Sequence, residues 1–218
     1  MKRKGFIFDL DGVIVDTAKY HFLAWNKLAE SIGVSFTEKQ NEQLKGVSRI
    51  KSLQKILDWG GITLSEEEFN VLMSKKNDDY LVHIKNMDSS EILVDVPRIL
   101  NQLENCGQGI ALGSASKNAK MILEKIKLLQ KFEAIVDGNG VTKGKPDPEV
   151  FLNAAKKLNV DPKNCIVFED ATAGIQAANA ANMISIGIGD NGVLNEADYV
   201  FSNFIEISSE FIEKLINK

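Results

Sequence analysis

The strongest constraint on how this chain can fold is a repeated alternation. Short apolar runs rich in branched residues stand at Gly5-Phe6-Ile7-Phe8, Ile110-Ala111-Leu112-Gly113, Ala134-Ile135-Val136, Ile166-Val167-Phe168 and Ile184-Ser185-Ile186-Gly187-Ile188, with a weaker sixth at Tyr199-Val200-Phe201. Between them lie segments of helical periodicity: Val96 to Asn105, Ala119 to Leu129, Pro148 to Leu158 and Ala173 to Ala181. Strand, helix and strand repeated in this way predict a parallel sheet covered on both faces. Asp147 before Pro148 reads as a helix N-cap followed by proline at the first helical position.

The alternation breaks between about Ala18 and Met87, where helical patterns at Tyr20 to Ile32, Arg49 to Trp59 and Ser65 to Ile84 come without a convincing strand. Ser65-Glu66-Glu67-Glu68 has the form of a capping box, and its acids are helix-start charge. A helical insertion directly after the first strand reads as a small cap over the carboxyl ends of the strands, where open α/β sheets bind ligands. The expected architecture is a Rossmann-like α/β core, residues 1–16 and 88–218, with a helical cap domain at 17–87.

Composition narrows the classes of function. A chain of 218 residues can bury one substantial core plus an insertion. With 44% hydrophobic and 26% charged residues it reads as neither disordered nor membrane-embedded, and a net charge of -4 gives no broad basic field for nucleic acid. Cys106 and Cys165 lack metal spacing and are read as small buried hydrophobes in a reducing compartment. The basic start Met1-Lys2-Arg3-Lys4 fails as a signal peptide because Asp9, Asp11 and Asp16 interrupt the apolar stretch behind it, so a cytoplasmic monomer is expected.

Polar residues gather where the apolar runs end. Asp9 and Asp11 come after the first, separated by one residue, so both point to one side where the backbone leaves the sheet. Neighbouring carboxylates repel, and need a cation, a shared proton or two different jobs. After the second run comes Ser114-Ala115-Ser116-Lys117-Asn118, offering hydroxyls, backbone N–H groups and a helix start to a phosphate; after the third comes Lys143-Gly144-Lys145-Pro146; after the fourth, Glu169-Asp170. Each alone reads equally as a cap or a solvated turn. Converging in one sheet, they offer Asp9, Glu169 and Asp170 to a hard divalent cation such as Mg²⁺, and Ser114 and Lys145 to phosphoryl oxygens. His21 and His83, without nearby cysteines, give no zinc set.

These four motifs, Asp9-Leu10-Asp11-Gly12-Val13, Ser114, Lys145-Pro146 and Glu169-Asp170, occur in the order and over the full length that resemble phosphotransferases of the haloacid dehalogenase superfamily. The resemblance implies that Asp9 is a nucleophile forming an aspartyl phosphate, that Asp11 is a general acid and base lending its backbone carbonyl to Mg²⁺, and that sugar phosphates are substrates. Within the superfamily, Asp16-Thr17 with Tyr20-His21-Phe22 and Ala24-Trp25, Leu44 to Arg49, Lys75-Lys76-Asn77, and Gly113 to Asn118 resemble the hexose-phosphate mutases more than the general sugar phosphatases. That implies transfer to the 6-hydroxyl of β-glucose 1-phosphate, and a distal phosphate site of Arg49, Ser116, Lys117 and Asn118. It also implies coupling of substrate to the general base through His21. Thr17 reads as hinge or helix cap as readily as catalytic. Trp25, with Phe22 and Leu28 on one helical face, reads first as packing, and Lys76 first as part of a solvated charged run, with a place in the substrate pocket implied only by the resemblance. A phosphatase with water as acceptor and a non-catalytic phosphosugar sensor are the competing readings.

Overall fold

The computed structural model describes residues 3–218. Six parallel strands form one sheet: β1 (Gly5–Phe8), β2 (Gly109–Gly113), β3 (Ala134–Val136), β4 (Cys165–Glu169), β5 (Ile184–Ile188) and β6 (Tyr199–Phe201), in the spatial order β3-β2-β1-β4-β5-β6. Strands β1 to β5 are almost wholly buried, which is why their sequences run apolar without alternation. Side chains nevertheless sort by the two-residue period. Phe6 and Phe8 of β1, with Ile166 and Phe168 of β4, pack under α5 (Val96–Asn105), α6 (Ala119–Lys125) and α9 (Ser209–Asn217). Ile7 and Val167 face α7 (Glu149–Leu158) and α8 (Thr172–Ala180) on the other side. Phe8 and Phe168 stack with centroids 4.6 Å apart and help fix the central register.

Between β1 and β2 the chain forms α1 (Ala18–Ser31), α2 (Glu38–Glu42), α3 (Arg49–Gly60) and α4 (Glu66–Ile84), which enclose their own apolar centre of Trp25, Leu28, Leu53, Ile56 and Leu57. The two connections to the sheet run side by side. Val15 bridges Ile92, and the Leu93 N–H donates to the Ile14 carbonyl at 3.0 Å.

Local expectations and structure differ in five places. Pro148 occupies the N-cap rather than the first turn of α7, and the Asp147 carboxylate accepts from the Glu149 N–H at 3.0 Å, so the cap is shifted by one residue. Helix α6 stops at Lys125 instead of Leu129, because Lys127 adopts a left-handed φ of 61°. Helices α2 and α9 lie outside the predicted segments. Cys106 is exposed just past the end of α5, whereas Cys165 is buried as expected. Lys76 is only 2% exposed, so it does not belong to a solvated face.

Candidate active site

The sheet order reverses between β1 and β4, and ligands of open α/β sheets bind at such a switch point. Register sets the chemistry there. Phe8 pairs with Phe168, so Asp9 and Glu169 leave the sheet side by side, and the Asp9 N–H donates to the Phe168 carbonyl at 3.0 Å. The backbone then turns tightly, with the Ile14 and Val15 N–H groups both returning to the Leu10 carbonyl at 2.8 and 3.1 Å. Gly12 sits in this turn at φ 77°, and a Cβ there would lie 2.1 Å from Asp170 Oδ2. Only glycine lets the loop close over the Asp170 carboxylate.

Lys145 is 1% exposed and meets two of these acids: its Nζ lies 2.6 Å from Asp9 Oδ1 and also bonds Glu169 Oε1. Burial opposes its charge, yet Asp9 and Glu169 hold the ammonium above its ordinary range. Glu169 is 0% exposed, and its second oxygen accepts the Ala171 N–H at 2.9 Å. Its side chain fills the space over Gly174, where a Cβ would come within 1.9 Å. Glu169 therefore backs Lys145, with one carboxylate oxygen on the ammonium and the other on the Ala171 N–H, and is not on the cavity lining. Asp170 does reach it. Burial, then Glu169 and Asp9, push its carboxyl well above the usual range, with Lys45 opposing. The carboxylates here outnumber the buried ammonium of Lys145 that pairs with them, and all the donors are oxygens. That set fits a hard divalent cation, with Asp9 and Asp170 as its cavity-facing carboxylates.

Asp11 belongs to a different environment. Its N–H donates to Asp9 Oδ2 at 3.1 Å, and its side chain accepts from Thr17 Oγ1. Burial and the Asp9 charge raise it to about 6, against the lowering bond from Thr17. Thr17 is 0% exposed and stands at the N-cap of α1 without a side-chain capping bond, so it acts on Asp11 rather than lining the cavity. His21, one turn into α1, brings Nε2 to 3.7 Å from Asp11 Oδ1 and Nδ1 to 3.0 Å from Lys76 Nζ. Burial, Lys76 and Arg49 hold the imidazole well below its ordinary range. Its Nε2, the atom nearer Asp11, is enclosed and makes no hydrogen bond among the described residues. Lys76 lies over the Trp25 and Tyr80 rings at 4.6 and 4.8 Å, and burial, then Arg49, lower it to about 7.

After β2 the loop is braced by its own side chains. The Ser116 N–H donates to Ser114 Oγ at 3.1 Å and the Asn118 N–H to Ser116 Oγ at 3.3 Å. Asn118 also donates to Asn77 Oδ1 on α4 at 3.0 Å, joining the sheet side to the insertion. A cavity of about 240 Å³ lies between the two, with Asp9, Asp170, Ser114 and Lys145 on one wall and Arg49 and Lys76 on the other. His21, Trp25, Asp11, Ser116, Lys117 and Asn118 also line it, so only Thr17 and Glu169 of the predicted residues stay behind the surface. Trp25 both packs within the insertion and borders the cavity. Polar residues there that carried no role in the reading of the sequence include Asn41, Lys45, Ser48, Ser52 and Thr142. Lys45 lay within the Leu44 to Arg49 segment, but nothing in its spacing tells which way it faces.

Known proteins share the sequence and the fold. The model of the haloacid dehalogenase-like hydrolases matches residues 6–188. The chain is 43% identical to β-phosphoglucomutase of Bacillus subtilis (strain 168) over 213 residues, 97% of this chain and 94% of that one. The crystal structure of β-phosphoglucomutase from Clostridium difficile superposes with a TM-score of 0.95 at 43% identity, covering 99% and 98% of the two chains. A phosphorylated carbohydrates phosphatase of Thermotoga maritima is 31% identical over 182 residues, 81% of each chain.

Proposed function

The chain belongs to the haloacid dehalogenase-like hydrolase family, and on that premise we propose that it interconverts β-D-glucose 1-phosphate and glucose 6-phosphate by phosphoryl transfer through Asp9. Phospho-Asp9 passes its group to the 6-hydroxyl of β-glucose 1-phosphate, and Asp11 takes the hydroxyl proton. The resulting β-glucose 1,6-bisphosphate turns round in the cavity. Asp9 then attacks the 1-phosphate, Asp11 returns its proton to the leaving sugar oxygen, and glucose 6-phosphate departs with the phosphoenzyme restored. A carboxyl raised to about 6 suits a group that must both give and take a proton near neutrality.

Lys145 and Ser114 hold the transferring group, while Arg49, Ser116, Lys117 and Asn118 hold the phosphate that is not reacting. Asp9, Asp170 and the Asp11 carbonyl are the groups to hold Mg²⁺, with Glu169 behind them. When bound, the cation offsets the charge of the phosphoryl oxygens and of the crowded acids. Residues 17–87 act as a cap that closes over the sugar and keeps water from phospho-Asp9. In this reading the protein works as a cytoplasmic monomer on small sugar phosphates; among the described residues no helix is long and apolar enough to cross a membrane.

The observation that carries transfer to sugar over transfer to water is the line Lys76, His21, Asp11. It places an imidazole of the insertion, hydrogen-bonded to Lys76, at 3.7 Å from the proton-handling carboxylate, so groups of the insertion stand where an acceptor would be activated. The test supplies β-glucose 1-phosphate, Mg²⁺ and a trace of the 1,6-bisphosphate, and follows glucose 6-phosphate and inorganic phosphate together. Glucose 6-phosphate with little free phosphate is expected. Free phosphate at a comparable rate makes the protein a phosphatase, and no product in either channel makes it a sensor.

A further inference from the structure

Helix α2 is five residues long and buries one side chain, Asn41, at 8% exposure. A buried helix position is ordinarily apolar, because an amide removed from water without a partner is costly. The Asn41 side chain avoids that cost by opening on the cavity, since neither of its amide atoms is among the enclosed polar atoms left without a partner. Its backbone N–H donates to the Thr37 carbonyl at 2.9 Å, and its carbonyl accepts from the Leu44 N–H at 2.9 Å. The start of α2 is closed by a separate capping box between Thr37 and Gln40. Its side-chain amide has no hydrogen-bond partner among the described residues, and the residue borders the 240 Å³ cavity from the insertion side. Ser52 of α3, 1% exposed, borders the same cavity, and its hydroxyl likewise has no partner among the described residues.

We propose that Asn41 is a specificity-determining residue that reads ring hydroxyls of the sugar held in this cavity, a role that rests on the function proposed above. Buried polar groups are nearly always hydrogen-bonded, so an amide left open toward a cavity is matched to a ligand. Its chemistry selects the kind of ligand. A carboxamide offers both an acceptor and donors, and a hydroxyl can answer either one, whereas a phosphate at neutral pH is chiefly an acceptor. For the anionic parts of a sugar phosphate the cavity already offers cationic side chains, Arg49 and Lys145 among them. Asn41 therefore serves the uncharged, hydroxylated ring between the two phosphates, and it favours hydroxylated sugars over their deoxy analogues.

The test compares wild type with Asn41→Ala and Asn41→Ser on β-glucose 1-phosphate and its 2-, 3- and 4-deoxy analogues, reading kcat/KM for each. Wild type is expected to discriminate against at least one deoxy analogue by roughly tenfold, the size of one neutral hydrogen bond. Both variants should lose activity on β-glucose 1-phosphate by a similar factor while losing little on that analogue, so the preference collapses. Equal losses on every substrate, or an unchanged preference, overturn the assignment. If only one variant folds, as judged by circular dichroism, the other supplies the comparison; if neither folds, Asn41 is structural and the assignment is overturned. A wild-type protein inactive on β-glucose 1-phosphate fails at the earlier step, and removes the function and this role together.

Discussion

Two lysines of this protein are buried alike and behave in opposite ways. Lys145, on the sheet side of the cavity, is 1% exposed; Lys76, on the insertion side, is 2% exposed. Burial alone disfavours the charge of both. Lys145 is held above its ordinary range by Asp9 and Glu169, whereas Lys76 falls to about 7. Its neighbours are an imidazole, two aromatic rings and the like charge of Arg49, with Asp11 only a lesser favourable influence. The lesson is that burial does not fix the state of an ionisable group; the partners it meets inside do. One wall of the cavity thus carries a permanent charge beside the nucleophile. The other carries a charge that can respond to pH and to what binds.

The most severe way to disturb this pairing is Asp9→Asn, which removes the attacking oxygen and half of the counter-charge to Lys145. Turnover of β-glucose 1-phosphate should fall by roughly 10⁴-fold or more, with an unchanged circular dichroism spectrum. Substantial residual transfer would take the nucleophile's role from Asp9. Next, Lys145→Met leaves two buried acids unpaired and should cost about 3–5 kcal/mol in urea denaturation without divalent metal. Lys76→Met exchanges a desolvated ammonium for an apolar chain of similar length between aromatic rings, and should leave stability unchanged or raise it at pH 6.5. Equal losses from the two substitutions would dissolve the contrast.

The same contrast has a sign in pH. Between about 7 and the ordinary value of 10.5, the unfolded chain binds a proton at Lys76 that the folded chain does not, so stability from this group rises with pH across that window. Lys145 runs the other way. Its contribution is complete below the ordinary value and is lost as pH climbs through the raised folded one. Wild type should therefore gain stability over Lys76→Met between pH 6.5 and 9.5, measured by urea midpoints, and parallel curves would show Lys76 to be unshifted. The smallest expected effect is at Thr17. Removing its bond in Thr17→Val should raise the Asp11 titration above about 6 by a further pH unit or less, followed by carboxyl ¹³C NMR on metal-free protein. A downward movement would show that the bond does not favour the ionised form.

All six strands were legible because buried parallel strands must be apolar throughout, and the four polar strand ends were legible because acids and lysines at such places have no packing role. Shorter or weaker signals were not read. Helix α2 had its capping box in Thr37 and Gln40 but only five residues, too few for a period. Helix α9 had the spacing of Ile212, Leu215 and Ile216 behind Ser208, and lay after the last strand, where no alternation asked for it. Lys76 was misplaced by its neighbours: Lys75-Lys76-Asn77-Asp78-Asp79 reads as solvated, and only the way α4 packs on α1 turns that lysine inward.

By itself the sequence determined the parallel sheet, the helical insertion after β1, and the acids, serine and lysine at the strand ends, since apolar period and charge placement are local properties of the chain. Tertiary structure decided what those residues do to one another. It set Glu169 behind Lys145 rather than in the cavity, separated Asp11 from Asp9 by environment, and turned Asn41 and Lys76 into the cavity wall. The reason is physical: a side chain's charge and hydrogen bonds depend on groups within a few ångströms, and those come from segments as far apart in the chain as Asp9 and Lys145.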